Sequence, residues 1–564
     1  MMSPRPALSR PGLHFAALVA LACAPSWAVA YFVPQDGPAH AYSASLMLEL
    51  LRGSATVARH FAWNAWALPN SSGHWILALL LSITSPFVAT KILATLTYAG
   101  VVAAVGFLRW ATVGRDGLLT SFWIGAAIGF NWLWLCGLYN FLIGAIGFAV
   151  ALGLYLYWSE RWRECWRAAR VVGLALLLLL VYFSHLVAFA VLAAALLFLA
   201  ASEPASRRRR ACIGVLLALF PAVLLALTHG ASTGGESYFP VWRRLSDSGS
   251  ITAWIFQLRT ADPFVLISRR AFPFTAVTTS LFTIFTPLLW LLAALTGLTW
   301  ETLSARPQAA QPETPGRERA LVAICIACAL GALLGPDDFG QSHGTLLRER
   351  LALLAAVCFV PLFRSSGSAG GRRTMRIRWV HLCLAGVVLF QTAALWEYAR
   401  RSSREAGEFL ALADGVEGRE SLASVVVLDD GKRFHSNPAA QMSNFFGIGR
   451  DTVVWDNYEI GYGLFPLVAR NPAEGRFVRE FTSLNVFDEA DPATATDAKL
   501  AQLDSCLEAN HERIETLLLW NRNPRVEAVL REWYETEPFF ERGRGRLYRR
   551  RAEAASSVRE IPEP

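Results

Sequence analysis

Charge is what this chain has least of. Asp, Glu, Lys and Arg make up 17% of its 564 residues, against about 25% in soluble domains, and that shortfall excludes an ordinary soluble globular protein. The nine cysteines form no disulfide framework. Cys23, Cys136, Cys212, Cys325, Cys328, Cys358 and Cys383 lie in apolar runs, Cys165 sits in a basic connector, and Cys506 stands alone in the polar tail. Cys325 and Cys328 have redox-motif spacing, but inside an apolar helix they read better as small packing residues. Zinc-finger spacing is absent. So are a Gly-rich phosphate loop, a nucleophile elbow and any internal repeat.

Hydrocarbon fills the space, with 54% of residues hydrophobic. Apolar runs cover 13–33, 87–108, 118–135, 138–157, 171–200, 211–227, 274–298, 320–334, 351–363 and 379–395. Several reach the roughly 20 residues a spanning helix needs. The shorter ones must tilt, re-enter or pack inside a bundle.

The net charge of +8 gathers in short connectors. Arg161, Arg163, Arg167 and Arg170 form one cluster; Arg207, Arg208, Arg209 and Arg210 a second; Arg372, Arg373, Arg376 and Arg378 a third. A nucleic-acid binder would present these on one folded face. Separated by apolar runs, they mark cytoplasmic loops instead. The N-terminus, with Arg5 and Arg10, is then cytoplasmic, residues 34–72 and 228–273 are outer loops, and the last span exports everything after about residue 397. Residues 74–108 make one net crossing bent at Ser85-Pro86, and 171–200 form a hairpin with Ser184-His185 at its outer tip. About eleven crossings result. Arg243, Arg244, Arg259, Arg269 and Arg270 lie in an outer loop against the rule. Ala28-Val29-Ala30 also fits a signal-cleavage site, and Asp36 is outside on either reading.

The expected fold is mainly α: a polytopic transmembrane helix bundle over residues 1–397, with a small extracytoplasmic α/β domain over 398–564. In the tail, 424–428, 514–519 and 545–549 read as strands and 524–534 as an amphipathic helix. Residues 404–417 read as a connecting helix. Asp429-Asp430-Gly431 reads as a turn, and Trp455-Asp456-Asn457-Tyr458 is placed to touch a ligand. A lid or acceptor-binding role is assigned to this domain.

Polar residues collect at the outer ends of spans: Asp36, His40, His60, Asn70, His74, Asn140, His185, His229, Asp262, Asp337, Asp338, His343, Arg348 and Arg350. Polar groups at membrane depth are functional candidates by default. Asp36 and His40, in Pro34-Gln35-Asp36-Gly37-Pro38-Ala39-His40, are the expected catalytic pair. An N-cap aspartate is the plain alternative, but a cap has no need of a histidine four residues on. Asn70, His74, Asn140, His185, Arg348 and Arg350 are expected to contact substrate. Asn70 could equally cap a helix, Asn140 serve a turn, His185 pack, and either arginine snorkel. Arginine's planar fork of donors suits phosphate.

An acidic residue just beyond the first span, then many spans and an outer C-terminal domain, resembles the GT-C glycosyltransferases. Asp36-Gly37-Pro38-Ala39-His40, Leu68-Pro69-Asn70, Tyr139-Asn140-Phe141-Leu142-Ile143-Gly144 and Ser184-His185-Leu186 also resemble bacterial membrane proteins placed near that group. The likeness covers residues 13–397. It implies a multi-pass protein of the bacterial inner membrane that takes a polyprenyl-phosphate-linked sugar from the lipid bilayer. The acceptor would be a glycan, lipid or protein hydroxyl, with no nucleic acid involved. Asp36 would be the first-loop catalytic acid. Many such enzymes carry a second acid in the next outer loop, and 132–140 has none; His40, Asp337 or Asp338 would have to substitute. A divalent metal is neither required nor excluded. The competing class is a transporter, flippase or envelope-assembly subunit, for which broken helices are suitable.

Overall fold

The computed structural model describes residues 10–64, 68–114, 118–160, 168–232, 264, 315–339, 345–362, 371–416, 418, 421–428, 434, 436–488 and 496–551. The run 274–298 and most of the 228–273 loop, with Asp262, His343 and the Asp429-Asp430-Gly431 turn, lie outside the described residues. The chain divides into two compact units. One comprises residues 1–28, 65–73 and 91–397; the other comprises 29–64, 74–90 and 398–564. The second therefore recruits first-loop residues to the C-terminal domain.

Among the described residues four helices are long and apolar enough to cross a membrane: Pro86–Thr112, Tyr139–Trp158, Ala205–His229 and His381–Leu410. Shorter apolar helices accompany them, including α1 (Arg10–Trp27), α4 (Ser72–Leu81) and α6 (Leu118–Gly129). The run with Pro86 at its bend splits, as expected, into α4 and α5 (Pro86–Val113), because proline starts a helix well and cannot continue one. The 171–200 run breaks into α9 (Ala168–Ser184) and α10 (Leu186–Ala201). On α11 (Ala205–Ser232) Leu216, Leu217, Phe220, Leu224 and Leu227 are at least half exposed. That stripe lies on one helical face, the kind of surface a span turns to lipid. The expected loop start at 228 moves to the end of this helix.

Small residues close the interior. Gly125 of α6 brings its position within 3.1 Å of the Val102 backbone, the close helix approach membrane bundles use. Gln391 donates to the Ala127 and Phe130 carbonyls, and Asn131 caps α7 (Trp132–Cys136) by accepting from the Trp134 amide. The helix Leu347–Phe359 has 13 residues. At about 1.5 Å per residue it is too short to span alone.

In the second unit a six-stranded sheet runs in the order β3-β2-β6-β8-β7, with β5 also on β2. The strands are β2 (Ser421–Leu428), β3 (Val453–Val454), β5 (Val486–Asp488), β6 (Thr516–Trp520), β7 (Phe540–Arg542) and β8 (Gly545–Arg549). β3, β5 and β6 pair parallel to β2, and β8 antiparallel to β6. The continuous apolar run of β2 suits a parallel strand covered on both faces. The flanking helix Pro524–Trp533 is started by Asn523, whose side chain accepts from the Arg525 and Val526 amides, with Pro524 just inside. Of the 404–417 segment, the described residues 404–416 form the end of helix Gly371–Leu410 and a short turn of helix Ala413–Val416.

First-loop residues belong to this unit by direct bonding. Strand β1 (Phe61–Trp63) pairs antiparallel with β4 (Leu467–Ala469). The Tyr398 hydroxyl donates to the Val33 carbonyl at 2.7 Å, and the Asn437 amide donates to Gln35 at 2.9 Å. The Val454 amide donates to the Tyr42 hydroxyl at 3.1 Å.

Candidate functional site

Asp36 precedes α2 (Gly37–Leu51) at its N-cap position, with Pro38 in the first turn, yet its side chain makes no capping bond. The capping alternative is thereby set aside. The carboxylate accepts instead from Tyr458 and the Gln35 side chain. Burial pushes it up to about 6; His40 opposes that rise, Glu459 adds to it, and the two hydrogen bonds oppose it. The residue as a whole is half-buried.

Four residues on, one helical turn along α2, His40 is buried and its Nδ1 lies 2.5 Å from Glu459 Oε1. His74, at the start of α4, places Nε2 3.0 Å from both Glu459 oxygens. The imidazoles meet edge to face, with centroids 5.1 Å apart at 87°. Burial alone would raise Glu459, but His74 and then His40 hold it well below the usual carboxylate range. An ionised carboxylate only accepts, so the ring nitrogens that face it carry the protons.

The local fold explains the placement of Glu459. It sits in a five-residue helix, Tyr458–Tyr462, started by Asn457, whose side-chain oxygen accepts from the Glu459 amide at 3.1 Å. Asn457 in turn donates to the Ser43 hydroxyl at 3.0 Å. Phe465 covers the cluster, 5.7 Å from the His74 ring and 6.4 Å from His40. Its loop is held by Asn64, which donates to the Gly463 and Phe465 carbonyls at 2.8 and 3.0 Å. Nearby in sequence, fully buried Asp456 accepts from the Ser424 and Ser443 hydroxyls.

The other expected residues lie in the first unit. Asn140, buried at the start of α8 (Tyr139–Glu160), accepts from the Gly73 amide at 2.6 Å and donates to the Asn70 carbonyl at 2.8 Å. Asn70 has a left-handed backbone, φ 64°, a conformation asparagine tolerates. Together the two asparagines fix the 70–73 turn. Ser72 bonds to Ser184 at 2.9 Å. His185 starts α10 by accepting from the Val187 amide at 3.2 Å, and packs edge-on against Phe141 at 5.2 Å. Gly144 makes room, since a Cβ there would meet the Ala188 and His185 Cβ atoms at 3.0 and 3.2 Å. Arg350, also buried, lies over the Phe141 ring at 5.6 Å. Arg348 is engaged elsewhere, donating to the Ala332 and Leu333 carbonyls at the end of helix Pro315–Leu334, with Asp337 at 3.7 Å.

Sequence reasoning missed Glu459, Phe465 and the role of Asn64. The 455–458 segment, expected to touch a ligand, stops one residue short of the carboxylate that matters. Local spacing could not reveal it, because Glu459 stands 419 and 385 residues from its two histidines.

No protein-family model matches the chain. No curated protein matches it either. Among solved structures it is similar to the arabinofuranosyltransferase AftD from Mycobacteria, at 14% identity and a TM-score of 0.44, over 97% of this chain and 40% of that one. The chain thus spans about two fifths of the length of that protein.

Proposed function

We propose that this protein is a membrane glycosyltransferase, moving a sugar from a polyprenyl-phosphate donor to an acceptor hydroxyl at the outer face of the inner membrane. The observation that carries the reading is Asp36. It is a half-buried carboxylate beside the first span, oriented by Tyr458 and Gln35 and not used as a helix cap. That is how a general base is held: positioned by other groups, with burial raising its affinity for the proton.

In the proposed reaction the acceptor oxygen bonds to the anomeric carbon while the bond from that carbon to the phosphate oxygen breaks. The acceptor proton passes to Asp36, and the polyprenyl phosphate leaves with the electron pair. A phosphate departs without protonation, which relieves the chain of needing a second acid. The departing phosphate calls for a cationic donor, a role that arginine's planar fork suits. His40 bears on Asp36 through charge and holds Glu459, so it acts as a positioning residue in this scheme.

The test is transfer from a panel of polyprenyl-phosphate hexoses and pentoses in proteoliposomes. Asp36→Asn should insert normally and lose about 10²–10⁴ in turnover, the usual worth of a general base. Wild-type turnover in that variant would dismiss the assignment, and transport without transfer would favour the carrier class.

A further inference from the structure

We propose that His40, His74 and Glu459 together hold one divalent transition-metal ion of the zinc class. The three offer ligand atoms that all lie within 4.8 Å of one another, and all three residues are buried. Two imidazole nitrogens and one carboxylate oxygen, with a fourth position left to an outside ligand, make up the donor set of catalytic zinc sites. Magnesium and calcium prefer shells of oxygen alone, whereas imidazole suits zinc and its neighbours.

The geometry fits an ion better than it fits a simple ion pair. One imidazole is enough to neutralise one carboxylate, yet two converge on Glu459. Their rings stand at 87° to each other, and His40 offers Nδ1 while His74 offers Nε2. Bonds of about 2.0–2.2 Å place neighbouring ligand atoms about 3.3 Å apart. The present separations of 2.5 and 3.0 Å need to open by less than about 1 Å. On binding, the ion takes the place of the protons now held between the rings and the carboxylate, and those protons leave to solvent. Phe465 walls the cluster with hydrocarbon.

The ligands come from three segments, α2, α4 and helix Tyr458–Tyr462. The open coordination position would take an oxygen donor, a phosphate oxygen or an acceptor hydroxyl. This last point alone rests on the transferase reading; the site itself does not.

The experiment uses the full chain, purified in detergent with a tag free of histidine, stripped with EDTA and reloaded with Zn²⁺ alone. Elemental analysis should find one zinc per chain in the wild type and in Asp36→Asn. It should find under a tenth of that in monodisperse His40→Ala, His74→Ala and Glu459→Gln. Zinc retained in those variants, or absent from the wild type, overturns the proposal. If the variants aggregate, X-ray absorption at the zinc edge of the wild type decides. Two imidazoles with carboxylate oxygen support the site, and sulfur or all-oxygen coordination overturns it. Sugar transfer by the stripped wild type would sink only the assignment of substrate to the open position, and the zinc content would still decide the site. Zinc bound without transfer from any lipid-linked sugar would sink only the transferase reading.

Discussion

Burial raises two carboxylates of the C-terminal domain, but the histidines beside Glu459 reverse the outcome there, so the two set opposite pH dependences. Asp456 is fully buried with serine hydroxyls on one oxygen, and burial pushes it from 3.8 up to about 6. The folded state therefore binds the proton more tightly than the unfolded chain does. Stability from this group is present at low pH and is lost as pH rises through about 4 to 6, by at most about 3 kcal/mol. Glu459 does the reverse. Held below the usual range by His74 and His40, it contributes stability that is lost as pH falls below 4.5. Melting temperatures of the purified protein should show this, and Asp456→Asn should flatten the fall between pH 4.5 and 6.5. An unchanged slope in that variant would refute the assignment. Asn64→Ala should leave the Gly463 and Phe465 carbonyls without that donor, costing about 1–3 kcal/mol. A melting temperature equal to wild type would count against that role.

At the scale of elements, the five-residue helix carrying Glu459 is the sensitive part. A Cβ on Gly461 would meet the Arg479 backbone nitrogen at 2.7 Å, and backbone cannot swing aside as a side-chain tip can. Gly461→Ala should therefore displace the helix, destabilise the domain by about 1–3 kcal/mol, and weaken zinc retention. Full retention with an unchanged melting temperature would contradict the packing argument. Elements like this one mark the limit of what spacing reveals. β2, β6, β8 and helix Pro524–Trp533 could be read from sequence because continuous apolar runs, a capping asparagine and a proline are local signals. The break before Pro86 could be read for the same reason. Asp36 and His40 were legible as a pair by their spacing. Glu459 was not, since its meaning comes from chain segments far away. Strand β1 was hidden likewise: three residues, Phe61–Trp63, become a strand only through β4.

For the molecule as a whole, the proposal depends on which side of the membrane each segment faces. Cysteines placed at the exposed positions Arg52 and Asp497, in a chain stripped of native cysteines, should react with an impermeant maleimide from outside. A cysteine at exposed Arg209 should react only after permeabilisation. Labelling of the Arg52 position from the inner side would reverse the topology and end the outer-face reading. The same chain order governs when the cluster can exist. His40 and His74 are synthesised early, and 385 residues separate His74 from Glu459. At about 5–20 residues per second, the ribosome needs roughly 20–80 s to supply the missing carboxylate. Until then the two histidines are without their partner. A chain that stalls or is cut before residue 459 keeps its spans but never assembles the centre, so competence arrives late in translation.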